Sequence, residues 1–365
     1  MTVAQRPRMS WLNRFLPVWI LVAMGVGLLL GRTMPGIGET LARLEVGGIS
    51  LPITLGLLVM MYPPLAKVRY DKTRKIVADK RLMTVSIVLN WLVGPAFMFA
   101  LAWFFLPDQP ELRTGLIIVG LARCIAMVLV WSDLSCGDRE ATAVLVAINS
   151  VFQVLMFGLL GWFYLQVLPQ WLGLGASEVE FSFWTIVSSV LVFLGVPLVA
   201  GALSRVVGEN IKGRQWYETK FLPAISPLAL LGLLYTIVLL FSLQGEHIAA
   251  QPTAVVRVAV PLLLYFVGMF AVSLVVSKLV GMNYAQSSSV SFTAAGNNFE
   301  LAIAVSIGTF GAHSAQALAG TIGPMVEIPV LVGLVYVMLW LGPKLFPGDA
   351  TVPAANREAR VVRNA

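Results

Sequence analysis

Apolar residues run through this chain in long blocks, and the polar ones collect in short gaps between them. Ten blocks are long enough to cross a bilayer, at about 15–31, 47–66, 82–106, 115–135, 140–168, 183–205, 221–243, 253–277, 284–310 and 315–343. About 20 apolar residues in helical geometry span a hydrocarbon core of about 30 Å. The blocks show no strict alternation of apolar and polar residues over short stretches, so the reading is helical throughout. The pattern predicts one membrane domain over residues 1–345 and a solvated, disordered cytoplasmic tail over 346–365.

Composition agrees with the pattern. Of 365 residues, 58% are hydrophobic and 12% are charged. A soluble domain carries about 25% charged residues. The net charge of +7 would suit a nucleic-acid binder, but the basic residues sit in the short gaps. With the N-terminus inside, 20 of the 25 Lys and Arg fall in cytoplasmic segments and 4 in outer ones. That asymmetry places both termini in the cytoplasm, as expected of an inner-membrane protein. The first block follows Arg6, Arg8 and Arg14 without a small-residue cleavage site, so it reads as an uncleaved first helix. Pro63 and Pro64 end or kink the second helix. The two cysteines make no disulfide framework.

The remaining basic residue is Arg123, inside the fourth block. An arginine at the bilayer centre costs at least about 2.5–3.5 kcal/mol. Two roles are open to it: binding carbonyls of its own interrupted helix, or presenting a fixed charge to a site. Both can hold at once. Its neighbour Cys124 is either a small packing residue or a thiolate favoured by the cation and a helix N-terminus. Glu300 and Glu327 are the carboxylates well inside blocks, where ionisable groups mark function. Asn297 and Asn298 could cap a half-helix or line a site. Asn90, Asn149 and Gln153 are weaker candidates, because amides in spans bond neighbouring helices. Cys136, among Asp133, Asp138 and Arg139 at a cytoplasmic turn, reads as incidental. His247 and His313 fall in outer loops, and no ligand spacing suggests a zinc site.

Ten blocks divide into two fives, and an odd number would set a duplicated half upside down in the bilayer. A shift of 174 residues pairs Gly137 with Gly311, Ile148 with Ile322 and Leu160 with Leu334. It also pairs Gln153 with Glu327, Arg123 with Asn297, and Cys124 with Asn298. The halves are then about 15–170 and 183–345. "GLARC" and "AAGNNFE" are polar or glycine interruptions at matching places. Transporters built from inverted repeats bind substrate between such broken helices. Irregular backbone at that depth must face protein or a water-filled cavity, so both clusters are expected to share one.

No P-loop occurs, and neither does H-E-x-x-H or G-x-S-x-G. An ATP-driven pump and the common hydrolases are therefore not indicated, and no cofactor is expected. "GLARCIAMVLVWSDLSCGDRE", "MYPPLAKVRY", "LNWLVGP", "FTAAGNNFELAIAVSIGTFG" and "GPMVEIPVLVGLVYV" resemble the arsenite efflux permeases of the bile acid/sodium symporter superfamily. The likeness runs over about 15–345. It implies ten helices in two inverted five-helix repeats, with broken and crossed fourth and ninth helices. It implies export of trivalent arsenic as arsenite, in some members antimonite, by proton exchange. It also implies that Cys124 is the thiol that takes arsenic(III), Glu300 the essential carboxylate and Arg123 a contributor. Asn297, Asn298, Gln153 and Glu327 would supply the hydrogen bonds that neutral arsenous acid requires. A sodium-coupled organic-anion symporter of the same superfamily is the competing expectation. A membrane thiol enzyme would need a base near Cys124, and no span offers a histidine. A sensor would need an output domain, and the short loops and small tail offer none.

Overall fold

The computed structural model describes residues 15–34, 36, 44–46, 49–67, 78–125, 127–174, 183–311 and 314–353. Among the described residues the regular structure is helical apart from one pair of short antiparallel strands. Its first helices are α1 (Leu16–Thr33), α2 (Leu51–Ala66) and α3 (Lys80–Phe105). α4 (Pro110–Leu121), α5 (Met127–Leu134) and α6 (Arg139–Trp171) follow. The second half holds α7 (Phe183–Lys212), α8 (Leu222–Ala250) and α9 (Pro252–Leu279). It closes with α10 (Tyr284–Ala295), α11 (Phe299–Phe310) and α12 (Ala315–Leu345). Among the described residues, seven helices are long and apolar enough to cross a membrane. The protein is a multi-pass membrane protein.

Three expectations need correction. α2 starts at Leu51 rather than 47, because β1 (Glu45–Val46) pairs antiparallel with β2 (Ile49–Ser50) just before it. α8 continues to Ala250, so His247 lies on a helix rather than in an outer loop; His313 lies outside the described residues. The expected tail is ordered at its start. Tyr284 N–H donates to Asp349 Oδ2 (2.6 Å), Ala285 N–H donates to Thr351 Oγ1 (3.2 Å), and Phe346 packs edge-on against the Tyr284 ring. The physical reason is that the first N–H groups of α10 have no partner within the helix, and residues 346–352 supply acceptors. Residues 354–365 lie outside the described residues.

Proline placement shapes the long helices. Wide π turns occupy Leu89–Val93, Phe163–Val167, Leu191–Gly195 and Tyr217–Phe221. Each is followed at its second residue by a proline, namely Pro95, Pro169, Pro197 and Pro223. Proline lacks the N–H that would close the α-helical bond, and its ring crowds the carbonyl four residues back. A wide turn over that carbonyl absorbs the mismatch. Pro63 and Pro64 lie inside the last turn of α2, which runs on to Ala66. The Ala66 and Lys67 carbonyls accept from Arg205, and Ala66 also from Tyr217 Oη.

The packing forms two groups. α8 lies along α1 and α2, and the second part of α7 lies against α2. A Cβ on Gly232 of α8 would come within 2.8 Å of the Met60 nitrogen on α2, so that crossing is nearly backbone to backbone. The other group joins α3, α4, α6, α9, α10, α11 and α12. The site lies in this second group.

Candidate functional site

α4 ends at Leu121 and α10 at Ala295, and in both cases the chain runs on in extended form before a new helix starts. The two extended pieces cross. Arg123 and Asn297 face each other as an isolated antiparallel bridge. Cys124 N–H donates to the Gly296 carbonyl (3.4 Å), and Asn298 N–H donates to the Ala122 carbonyl (3.0 Å). Backbone opened at membrane depth thus finds its partner in the other break.

Each break is held by a long polar side chain from the following full-length helix. Gln153 on α6 accepts from Arg123 N–H (2.8 Å) and donates to the Arg123 carbonyl (3.0 Å). Glu327 on α12 accepts from Asn297 N–H through Oε1 (3.2 Å). Asn297 Nδ2 donates to the Val119 and Ala122 carbonyls, at 2.6 and 3.2 Å, closing the open end of α4. Asn298 Oδ1 accepts from Leu301 N–H (3.0 Å) and caps α11. Asn297 and Asn298 therefore serve the break itself. Their other amide atoms, Asn297 Oδ1 and Asn298 Nδ2, are buried without a partner.

Arg123 is fully buried. Its Nη2 donates to the Gly120 carbonyl at the end of α4, and its Nη1 donates to Tyr265 Oη on α9 (2.8 Å). Among the described residues no carboxylate lies within ion-pairing distance of the guanidinium. It does bind its own helix's carbonyl, and Nε is left over without a partner. Cys124 is buried beside it, with Sγ accepting from Val128 N–H at 3.3 Å. A Cβ on Gly296 would lie 3.1 Å from Cys124 Cβ and 3.3 Å from Glu327 Oε1. Cys124 and Glu327 thus both border the space beside this glycine. Glu300 is half-buried in the first turn of α11 and is close enough to Glu327 to act on it electrostatically.

The structure brings Cys124, Arg123, Gln153, Asn297, Asn298 and Glu327 into one cluster, with Glu300 at its edge. Asn149 accepts from Trp91 Nε1 (3.0 Å), and Asn90 donates to the Ser86 carbonyl (2.8 Å). Cys136 lies apart, in a left-handed conformation (φ 57°) at the turn from α5 to α6. Sequence reasoning missed Tyr265. Its signal was a phenol in mid-span, because a buried tyrosine hydroxyl needs a partner. It also missed the hydroxyl cluster that ties α10 to the α5–α6 turn, where Ser135 meets Ser288 at 2.6 Å and Thr142 donates to Ser289 at 2.9 Å. The run "SSSVS" at 287–291 carried that signal. Among the described residues no group of three His, Cys, Asp or Glu could hold a metal ion.

A sequence model described as the sodium bile acid symporter family matches residues 54–251. The chain belongs to that family. It is 74% identical to an arsenical-resistance protein, Acr3, of Corynebacterium glutamicum over 363 residues, covering all of this chain and 98% of the relative. A second arsenical-resistance protein Acr3, from Alkaliphilus metalliredigens, is 32% identical over 89% of this chain and 92% of its own length. An uncharacterized transporter of Synechocystis is 34% identical over 88% and 87%. Family members of this kind are transporters rather than enzymes.

Proposed function

We propose that this protein exports trivalent arsenic as arsenite across the cytoplasmic membrane in exchange for protons. The observation that carries the reading is a single buried thiol at a crossing of two broken helices, with a carboxylate bordering the same space and a cation beside it. The names of the relatives point the same way. Trivalent arsenic is soft and favours sulfur, and one thiolate is a ligand that still permits release. Arsenous acid, As(OH)3, is neutral at physiological pH. Its capture by Cys124 forms one S–As bond and breaks one As–O bond. The thiol proton leaves with that hydroxyl as water, and hydrolysis reverses the step on the other side.

In this reading Glu300 exchanges the coupling proton, and Glu327 and the free amide atoms of Asn297 and Asn298 meet the hydroxyl groups. Gln153 is engaged at both ends by Arg123, so its part is to hold the crossing. The architecture is ten spans in two inverted five-helix repeats within one membrane domain, with both termini in the cytoplasm. Several details support the repeat. α4 and α10 coincide residue for residue under the shift of 174, and Gln153 and Glu327 make matching bonds to Arg123 and Asn297. The two backbone bonds of the crossing are related by the same shift.

The experiment is arsenite uptake by everted vesicles, which stands for export from a cell, under an imposed pH gradient. Uptake that follows the pH gradient and ignores sodium is expected. The family's sodium symporters are the second reading, and uptake that requires sodium would favour it.

A further inference from the structure

We propose that Gly94 and Tyr265 are positioning residues for Arg123. Together they clamp the Nη edge of its guanidinium, so that Nε–H is the donor offered to a hydroxyl oxygen of the bound substrate. This rests on the reading of the crossing as the arsenite site. Among the described residues no carboxylate pairs with the buried guanidinium, so neutral acceptors hold it, the Gly120 carbonyl and Tyr265 Oη. The third contact is made by a missing atom. A Cβ on Gly94 would lie 2.7 Å from Arg123 Nη1, 3.0 Å from Tyr265 Oη and 3.2 Å from the Leu89 carbonyl oxygen. Only glycine lets the guanidinium rest against the backbone there.

That backbone belongs to the π turn that Pro95 imposes on α3, which Gly94 N–H closes onto the Leu89 carbonyl. Trp91 in the same turn donates to Asn149 on α6. One turn further along α6, Gln153 holds the N–H and carbonyl of Arg123 itself. Side chain and backbone of Arg123 are therefore fixed to one frame, made of α3 and α6, with α9 closing it through Tyr265. Each Nη has one of its two N–H groups engaged, and Nε is the nitrogen with no partner, buried. An unpaired buried donor is costly unless a ligand or water completes it. Asn297 Oδ1 and Asn298 Nδ2, at the same crossing, are in the same condition.

Two measurements test the seat. The first is a cycle of melting temperatures for the full-length protein in detergent, with Gly94→Ala and Arg123→Lys made singly and together. Lysine has no forked Nη edge to collide with a new Cβ. Gly94→Ala should lower the melting temperature with Arg123 present and lower it far less with lysine there. Equal drops in both backgrounds would overturn the contact, whatever the protein carries. The second is vesicle uptake by Tyr265→Phe over a range of arsenite concentrations. Losing orientation of a binding group weakens binding more than turnover, so KM should rise about tenfold, a modest free-energy change, with kcat moving far less. An unchanged KM would overturn the positioning role. Wild-type protein that carries no arsenite would sink the export reading instead, and the cycle would still decide the seat.

Discussion

Gln153→Leu removes a side chain of similar size that makes two hydrogen bonds inside the protein. Both go to the backbone of Arg123, at 2.8 and 3.0 Å, and Gln153 is fully buried. Leucine fills the space but leaves one N–H and one carbonyl without partners. Each orphaned buried group costs about 1–3 kcal/mol, so the variant should lose about 2–6 kcal/mol of unfolding free energy. Gln153→Glu gives a graded control: a carboxylate still accepts from Arg123 N–H, as Glu327 does at Asn297, but no longer donates to the carbonyl. It should lose about half as much. Denaturant titration in mixed micelles, followed by tryptophan fluorescence, reads all three proteins. A leucine variant within about 0.5 kcal/mol of wild type, the range of an inconsequential substitution, would refute the idea that Gln153 holds the crossing.

Cys124→Ser should abolish arsenite uptake by everted vesicles while Cys136→Ser stays near wild type, because serine offers hard oxygen in place of sulfur; equal loss in both would point to a two-thiol site. Glu300→Gln should fold normally and lose pH-driven uptake, and wild-type rates in that variant would remove Glu300 from the coupling step. At the exposed turn before α4, hydrogen bonds from Arg257 hold the Asp108 carboxyl at about 2, below its ordinary 3.8. A depressed acid stabilises the fold fully above its ordinary value, and that contribution disappears as pH falls through the lower one. Melting temperatures of wild type and Asp108→Asn should therefore differ at neutral pH and converge between 3.8 and about 2. A gap that persists below 2 would contradict this.

The hydrophobic pattern was enough to locate the helices, because a bilayer demands about 20 apolar residues wherever a chain crosses it. It also pointed to both breaks, since polar and glycine interruptions recur at matching places in the two halves. The cluster itself was legible for the same reason: intramembrane polar residues are few, and six of those named come together. Their bonds were not legible. That Gln153 serves the Arg123 backbone, that Glu327 accepts from Asn297 N–H, and that residues 346–352 cap α10 are all contacts between segments far apart in sequence. Each depends on which helix faces are turned toward each other, and periodicity along one helix carries no information about its neighbour. The wide turns were half legible: the four prolines are plain in the sequence, but whether a helix answers proline by kinking, ending or widening depends on what is packed beside it. At Pro63 and Pro64 the helix runs on to Ala66, where Arg205 and Tyr217 take its last carbonyls. At Pro95 it widens, and Gly94 comes to lie against the guanidinium of an arginine from another helix.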